Sequence, residues 1–335
     1  MTSEISQRIL DMLSRNLDGI PQSYLHRAVG VSKSYISMIL KNMERSGIIY
    51  RIRIGNSYIV KLASRATQIC NKLKLGIVWS SEYLFLGHFA KALKDILNVD
   101  LSINVYPSAL QATSAIARGE IDAVLSPLIT QLFAHILTRN VLIVGGGAGG
   151  GAKIYKFPKS RSSTTISSET SSMDLCRLVA VRKGMVEEED VKYFTTPSEA
   201  IEIIRMGRAR HAVLWHPLTE HIKNVEHSVV AECGEFEELT HCCTLAISRN
   251  VGTELVEKIS SIYKSAIDKF VKQPLRYIDW YSSITGIDAA TLKEGLKTYT
   301  YTPEISIRSI HRVVETLGLS IPQKSTLLNA ILLHS

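Results

Sequence analysis

The sequence predicts an α/β protein built in two parts, a small basic module at the N-terminus and a larger domain of two α/β lobes with a helical tail. Three observations predict it. From about Lys74 onward, apolar strand-like runs alternate with amphipathic helix-like stretches. The N-terminal segment instead shows three short helical periodicities followed by one hairpin. Charge divides along the same line: residues 1–72 carry eleven Lys or Arg against four acidic residues, a net of +7, whereas the rest of the chain nets +1.

A length of 335 residues is about twice a typical domain, so two or three cores are expected. A content of 45% hydrophobic and 21% charged residues describes a globular chain rather than a disordered one. No stretch reaches the roughly 18 uninterrupted apolar residues that a membrane span needs. Met1-Thr2-Ser3-Glu4-Ile5 lacks the basic start and apolar run of a signal peptide. The five cysteines, Cys70, Cys176, Cys233, Cys242 and Cys243, are odd in number with two adjacent, which suits a reducing compartment better than a disulfide framework. Together these imply a cytoplasmic chain without a membrane partner.

In the first module, Ile5, Ile9, Leu10, Met12 and Leu13 recur at helical spacing, so a helix is expected from Ser3 to Arg15. Asp18-Gly19 breaks it, and Pro21 starts a second helix through Tyr24, Leu25 and Ala28. Gly30 stops that helix, Ser32 caps a third running from Lys33 to about Ser46, and Gly47 ends it. The short turn forces helices two and three to cross steeply, which makes a helix-turn-helix unit. Ile48 to Ile54 alternates, Gly55-Asn56 turns, and Ser57 to Leu62 returns as a second strand. Val31, Ile36, Ile39, Leu40 and Met43 share the buried stripe of the third helix, leaving Lys33, Ser34, Tyr35, Ser37, Met38 and Lys41 outward. The concentrated positive charge is what a polyanion-binding module would show.

The segment Leu25 to Leu62 resembles the MarR-type and related winged-helix transcription factors. That resemblance implies double-stranded DNA as a partner. Ser32, Lys33, Ser34, Tyr35, Ser37, Met38 and Lys41 would face the major groove, and Arg51, Arg53 and Asn56 would reach phosphates or the minor groove from the wing. A solvated helix face and a plain hairpin are the alternative for these residues.

In the larger domain, strands are expected at Leu75–Trp79, Leu101–Tyr106, Ala123–Leu125 and Val141–Val144, with helices at Tyr83–Leu97, Pro107–Arg118 and Leu128–Leu137. After a Ser-rich passage (159–172) the alternation resumes. Strands are expected at Thr164–Ser167, Val191–Phe194 and Ala212–Trp215, and helices at Asp174–Arg182 and Pro197–Met206. Such alternation implies parallel sheets covered on both faces. Residues 252–335 read as helical almost throughout.

Ala117-Arg118-Gly119-Glu120-Ile121-Asp122-Ala123, the glycine run Gly145 to Gly151, and Pro197-Ser198-Glu199-Ala200 followed by Arg205-Met206-Gly207-Arg208-Ala209 resemble the type II periplasmic binding proteins, in the branch that binds sulfonates, nitrate or thiamine precursors. In this fold the ligand lies between lobes at the carboxyl ends of strands. That nominates Ser80, Ser81, Ser126, Gly145, Gly146, Gly147, Ser171, Ser172, Met173, Trp215 and His216. The helix start at Ser171-Ser172 favours an anionic group. Serines and glycines also populate ordinary turns.

Other motifs carry less. Gly145 to Gly150 satisfies G-x-G-x-x-G, but no helix opens on it, so no dinucleotide cofactor is expected. His211, His216 and His221 are five apart, which turns successive imidazoles to opposed faces. His241-Cys242-Cys243 is a better metal hint, but adjacent strand residues point apart, and no metal site is assigned. No catalytic constellation can be specified.

The domain plan is thus 1–62 as the winged helix, 63–73 as a linker long enough for a helix, and 74–335 as the ligand-sensing domain with its tail from about 252. Its organisation is similar to the LysR-type regulators. The implied function is a ligand-responsive transcriptional regulator that is not an enzyme, acting as a homodimer or higher homo-oligomer on a small anionic or polar heterocyclic effector. A thiamine-pyrimidine-synthase-like enzyme with a regulatory winged helix, a metal-sensing regulator, and a DNA-binding protein whose large domain only oligomerises are the competing readings.

Overall fold

The computed structural model describes residues 2–14, 16, 19–45, 48–54, 57–62, 72–187 and 190–318. The expected turn at Gly55-Asn56, the helix stop at Gly47, Cys70, most of the linker (63–71) and the last tail residues lie outside them. The chain divides into two compact units, 1–71 with 250–253, and 72–249 with 254–335.

The first unit contains α1 (Thr2–Ser14), β1 (Ile20–Pro21), α2 (Gln22–Ala28), α3 (Lys33–Arg45), β2 (Ile49–Ile54) and β3 (Ser57–Leu62). Its three strands run antiparallel in the order β1-β3-β2. Ser32 Oγ accepts from Tyr35 N at 3.2 Å and so caps α3. Ile36, Ile39, Leu40 and Met43 of α3 pack on Ile9, Leu13, Leu25, Ile49 and Val60. Burying each large aliphatic of that set contributes roughly 1.5–3 kcal/mol.

The second unit starts with β4 (Lys72–Val78), α4 (Leu86–Leu97), β5 (Asp100–Tyr106), α5 (Ala109–Ala117), β6 (Ala123–Pro127), α6 (Leu128–Thr138) and β7 (Val141–Gly150). It crosses to β8 (Ala152–Lys156), β9 (Thr165–Ser168), α7 (Ser172–Arg182), β10 (Val191–Phe194), α8 (Pro197–Arg205), β11 (His211–Trp215) and β12 (Ser228–Glu232). It then returns through β13 (Cys243–Ser248), α9 (Thr253–Lys272), α10 (Ile278–Thr285), α11 (Ala289–Gly295), β14 (Tyr299–Thr302) and α12 (Ile307–Thr316). The result is two lobes. One sheet runs β14-β7-β13-β6-β4-β5 and the other β10-β9-β11-β8-β12.

Three expectations are corrected. The sheets are mixed, not parallel: β13 enters antiparallel between β6 and β7, and β8 lies antiparallel to both β11 and β12. The tail, expected to be helical almost throughout, also contributes a strand, since Tyr299-Thr300-Tyr301-Thr302 pairs antiparallel with Gly150 to Gly147. The glycine run, which the family resemblance would make a turn, is as far as Gly150 the second half of β7. A Cβ at Gly146 would run into the Thr302 carbonyl oxygen, and one at Gly147 into that of Cys243. Glycine lets three backbones close up. Gly150 and Gly151 then take φ of +85° and +72°, turning the chain into the second lobe.

Cys176 on α7 is disulfide-bonded to Cys233, with Cα atoms 5.6 Å apart. The expectation of unpaired cysteines is thereby corrected, and with it the argument for a reducing compartment.

Two outcomes test this description. Gly146→Ala should lower unfolding free energy by at least about 2 kcal/mol in urea titration, because a backbone carbonyl stands where the methyl would go. A neutral result would mean that β7 and β14 are not in register. Cys176→Ser should cost about 4 kcal/mol by the loop-entropy estimate for a bridge across a separation of 57 residues. An unchanged midpoint would place the two thiols apart.

Candidate functional site

A cleft of about 430 Å³, counting its open mouth, is lined from both lobes. Its position follows from the strands, whose carboxyl ends converge there. From the first lobe come Val78 at the end of β4, Ser80 and Glu82 beyond it, Pro127 at the end of β6, and Ser108 and Ala109 where α5 begins. Cys242, Cys243, Gly150 and Tyr299 complete that side. The second lobe supplies Ser168 at the end of β9, Ser171 and Met173 at the start of α7, and Trp215 at the end of β11.

Among the described residues lining the cleft there is no Lys, Arg or His, and the one acid is Glu82. Its side chain is buried, and Oε2 has no hydrogen-bond partner. Burial pushes the carboxyl pKa up, while Tyr83, the Cys243 and Cys242 thiols and Ser80 stand close enough to moderate the rise. Burial also pushes the Cys243 thiol well above its ordinary value. The Glu82 carboxylate and the two sulfurs all lie within 4.8 Å of one another. Cys242 occupies a bend before β13, so the alternation that separates neighbouring strand residues does not apply to it. His241 is not with them: its Nε2 accepts from Ser306 N at 2.9 Å.

The lobes are joined by hydrogen bonds around this cleft. Trp215 Nε1–H donates to Trp79 O at 2.9 Å, and Tyr299 OH donates to His216 O at 2.9 Å. Thr130 Oγ1 donates to Thr170 O at 2.6 Å, and Ser172 Oγ to Cys242 O at 2.8 Å. Ser81 Oγ lies 2.5 Å from His216 Nδ1. With Glu220 Oε1 at 3.8 Å from His216 Nε2, these side chains carry the residue types of a nucleophile, base and acid. Ser81, however, is fully buried and does not line the cleft, so the set ties the lobes together and offers no accessible nucleophile.

Of the residues nominated from sequence, Ser80, Ser171, Met173 and Trp215 line the cleft. Ser171 is already engaged, since its Oγ accepts from Met173 N at 3.1 Å and donates to Ser168 O at 2.6 Å. The helix start therefore offers an anion less than expected. Ser81 and Ser172 serve the lobe junction. Ser126 is buried under Thr113 and Gln131, whose side chains donate to its hydroxyl. Gly146 and Gly147 are pressed against the carbonyls of neighbouring strands, Gly145 against the Tyr263 ring, and His216 meets Ser81. Sequence reasoning weighed Cys242 and Cys243 only as part of a metal hint with His241, and it missed Glu82, Ser108, Ser168 and Tyr299. A period-two Tyr-Thr pattern at 299–302 was the available signal for the last.

In the first unit, Ser32, Lys33, Ser34, Met38 and Lys41 are exposed, and Tyr35 and Ser37 are half-buried, Tyr35 packing on the core. Arg51 is not free to reach outward: it pairs with Glu44, donates to Gln22 Oε1 at 3.4 Å, and lies over the Tyr58 ring. Arg53 is exposed on β2, and Asn56 falls outside the described residues.

Residues 3–63 match a protein family described only as a domain of unknown function, DUF7343. No curated protein matches the chain. Among solved structures, the chain is similar to the alkanesulfonate-binding protein SsuA from Xanthomonas axonopodis pv. citri bound to MOPS, at 17% identity and a TM-score of 0.64, covering 78% of this chain and 98% of that one. It is also similar to the periplasmic aliphatic sulphonate-binding protein SsuA from Escherichia coli, at 16% identity and 0.61, covering 79% and 93%. The periplasmic nitrate-binding protein NrtA from Synechocystis PCC 6803 gives 8% and 0.59, covering 78% and 85%. The fold is thus α/β with mixed sheets and resembles the two-lobed periplasmic binding proteins.

These findings correct the expectation of a cytoplasmic transcriptional regulator with double-stranded DNA as its partner. The three solved proteins named above bind sulfonates or nitrate, and two of them are periplasmic. The match over the first unit names no regulatory family.

His216 provides a test of the lobe junction. Desolvation by burial holds its pKa below the ordinary histidine value, although Glu220 opposes the shift. A histidine that is harder to protonate when folded adds stability above its unfolded pKa of about 6.5. That stability drains away as pH falls from there toward the lowered folded value. Urea midpoints should therefore drop between pH 7.5 and 5, and His216→Asn should flatten the profile. An identical slope in the variant would remove His216 from the account.

Proposed function

We propose that this chain is a solute-binding protein whose ligand occupies the cleft between the two lobes of its second unit. The observation that carries the reading is the cleft's composition. Hydroxyls of Ser80, Ser108, Ser168 and Tyr299 surround a buried carboxyl, with Trp215 and Met173 as apolar surface and no cationic side chain among the described lining residues. An oxyanion such as the sulfonate or nitrate bound by the relatives would find hydroxyl and amide donors but no opposite charge. A flat, polar molecule bearing N–H donors fits better. It would hydrogen-bond to the serine hydroxyls and cover the indole.

The boundaries 1–62, 63–73 and 74–335 belong to this proposal. So does a winged-helix reading of the first unit's fold, supported by its order of three helices and a β-hairpin.

A thermal-shift screen of the full-length protein separates the ligand classes. A ligand bound only by the folded state stabilises it by about 2.7 kcal/mol at a hundredfold excess over Kd. Amino-substituted heterocycles should raise Tm, and nitrate, sulfate and alkylsulfonates should not. Trp215→Ala should weaken binding of the best compound at least tenfold, roughly 1.4 kcal/mol. Stabilisation by the oxyanions alone would overturn the reading.

A further inference from the structure

Glu82, Cys242 and Cys243 form a group that solute recognition leaves unused in part. Each is buried and each lines the cleft. Two independent facts point to a ligand there. The oxygen and two sulfurs cluster within 4.8 Å of one another, and Glu82 Oε2 is a buried acceptor with no donor. Both thiols are free, neither being joined to the Cys176–Cys233 bridge.

We propose that these three side chains bind a divalent, thiophilic cation, Zn²⁺ by chemistry, with its remaining coordination position open to the cleft. Cysteine thiolate and glutamate carboxylate are each zinc donors, at about 2.3 Å for sulfur and about 2.0–2.2 Å for oxygen. Copper(I) is less suited, since a carboxylate oxygen is a hard donor. Contracting the triad by about 1 Å brings all three atoms to a tetrahedral ion. The cation offsets two of the three negative charges that the ionised ligands would otherwise bury.

The surroundings favour such a site. The backbone of Cys242 is fixed on both sides: its N–H donates to Ala148 O at 3.0 Å, and its carbonyl accepts from Leu128 N at 3.2 Å and Ser172 Oγ at 2.8 Å. Cys243 is held in β13 opposite Ala148 and Pro127. Ligands on a pinned strand end keep their geometry better than ligands on a loose loop. Because Ser172 belongs to the second lobe, the same carbonyl links the triad to lobe closure. The inference does not rest on the identity of the organic solute, and its test uses none.

The experiment is a Co²⁺ titration of the metal-free, full-length protein followed by absorbance. The expected result is one equivalent of Co²⁺ with a thiolate-to-cobalt charge-transfer band, displaced by one equivalent of Zn²⁺. Glu82→Gln should keep the band and weaken Co²⁺ binding at least tenfold, and Cys242→Ser with Cys243→Ser should abolish it. No thiolate band in the wild type, or a band that survives in the doubly substituted chain, would overturn the proposal. If that variant does not fold, the cadmium-113 resonance of the wild type decides instead: a shift for two sulfur ligands supports the site, and one for oxygen and nitrogen only refutes it.

Discussion

The second unit depends on the close approach of backbones along β7. Near its end this strand has β13 on one side and β14 on the other, and a Cβ at Gly146, Gly147 or Gly149 would strike the carbonyl of Thr302, Cys243 or Thr240 respectively. The same absence of Cβ admits α9. A Cβ at Gly145 would meet the Tyr263 ring, and Tyr263 OH donates to Gly146 O at 3.0 Å while Ser260 Oγ donates to Val144 O at 2.6 Å. A chain segment that gives up side-chain burial here gains three packed neighbours. Phe85 packs edge to face on Tyr263, and Phe270 and Tyr301 pack edge to face on Phe85 in turn.

Function follows from where that strand ends. Gly150 and Gly151 carry the chain into the second lobe, so the strand that orders one sheet also sets the crossing. Tyr299 pairs with Gly150 and Cys243 with Ala148, which places both cleft residues beside it. The cleft is therefore assembled from distant segments, including the C-terminal tail, around one glycine-rich element.

Much of this was legible in the sequence where periodicity and burial agree. Strands at 101–106, 191–194 and 212–215 and helices at 128–137 and 197–206 could be placed within a few residues, because their apolar patterns meet clear breaks. Antiparallel β13 was not legible. Cys243 to Ser248 is buried on both faces and has no alternation to mark it. The cleft was readable only through the rule that strand ends line it, which found Ser80, Ser171, Met173 and Trp215. Glu82 escaped because a lone carboxyl in a turn carries no motif, and its role appears only when the two cysteines fold against it. Charge misled most. The net +7 of the first 72 residues pointed to a polyanion, yet Arg51 spends its charge on Glu44 within the unit. Formal charge counts do not distinguish paired from available cations.

The central claim is that a solute sits between the lobes at the strand ends. Hydrogen exchange of the full-length protein, with and without the compound that stabilises it most, tests this directly. The account predicts slowed exchange over 78–82, 168–173 and 215–216, with the centres of β4 and β9 unchanged. Slowed exchange confined to 1–62, or spread evenly over the chain, would contradict it.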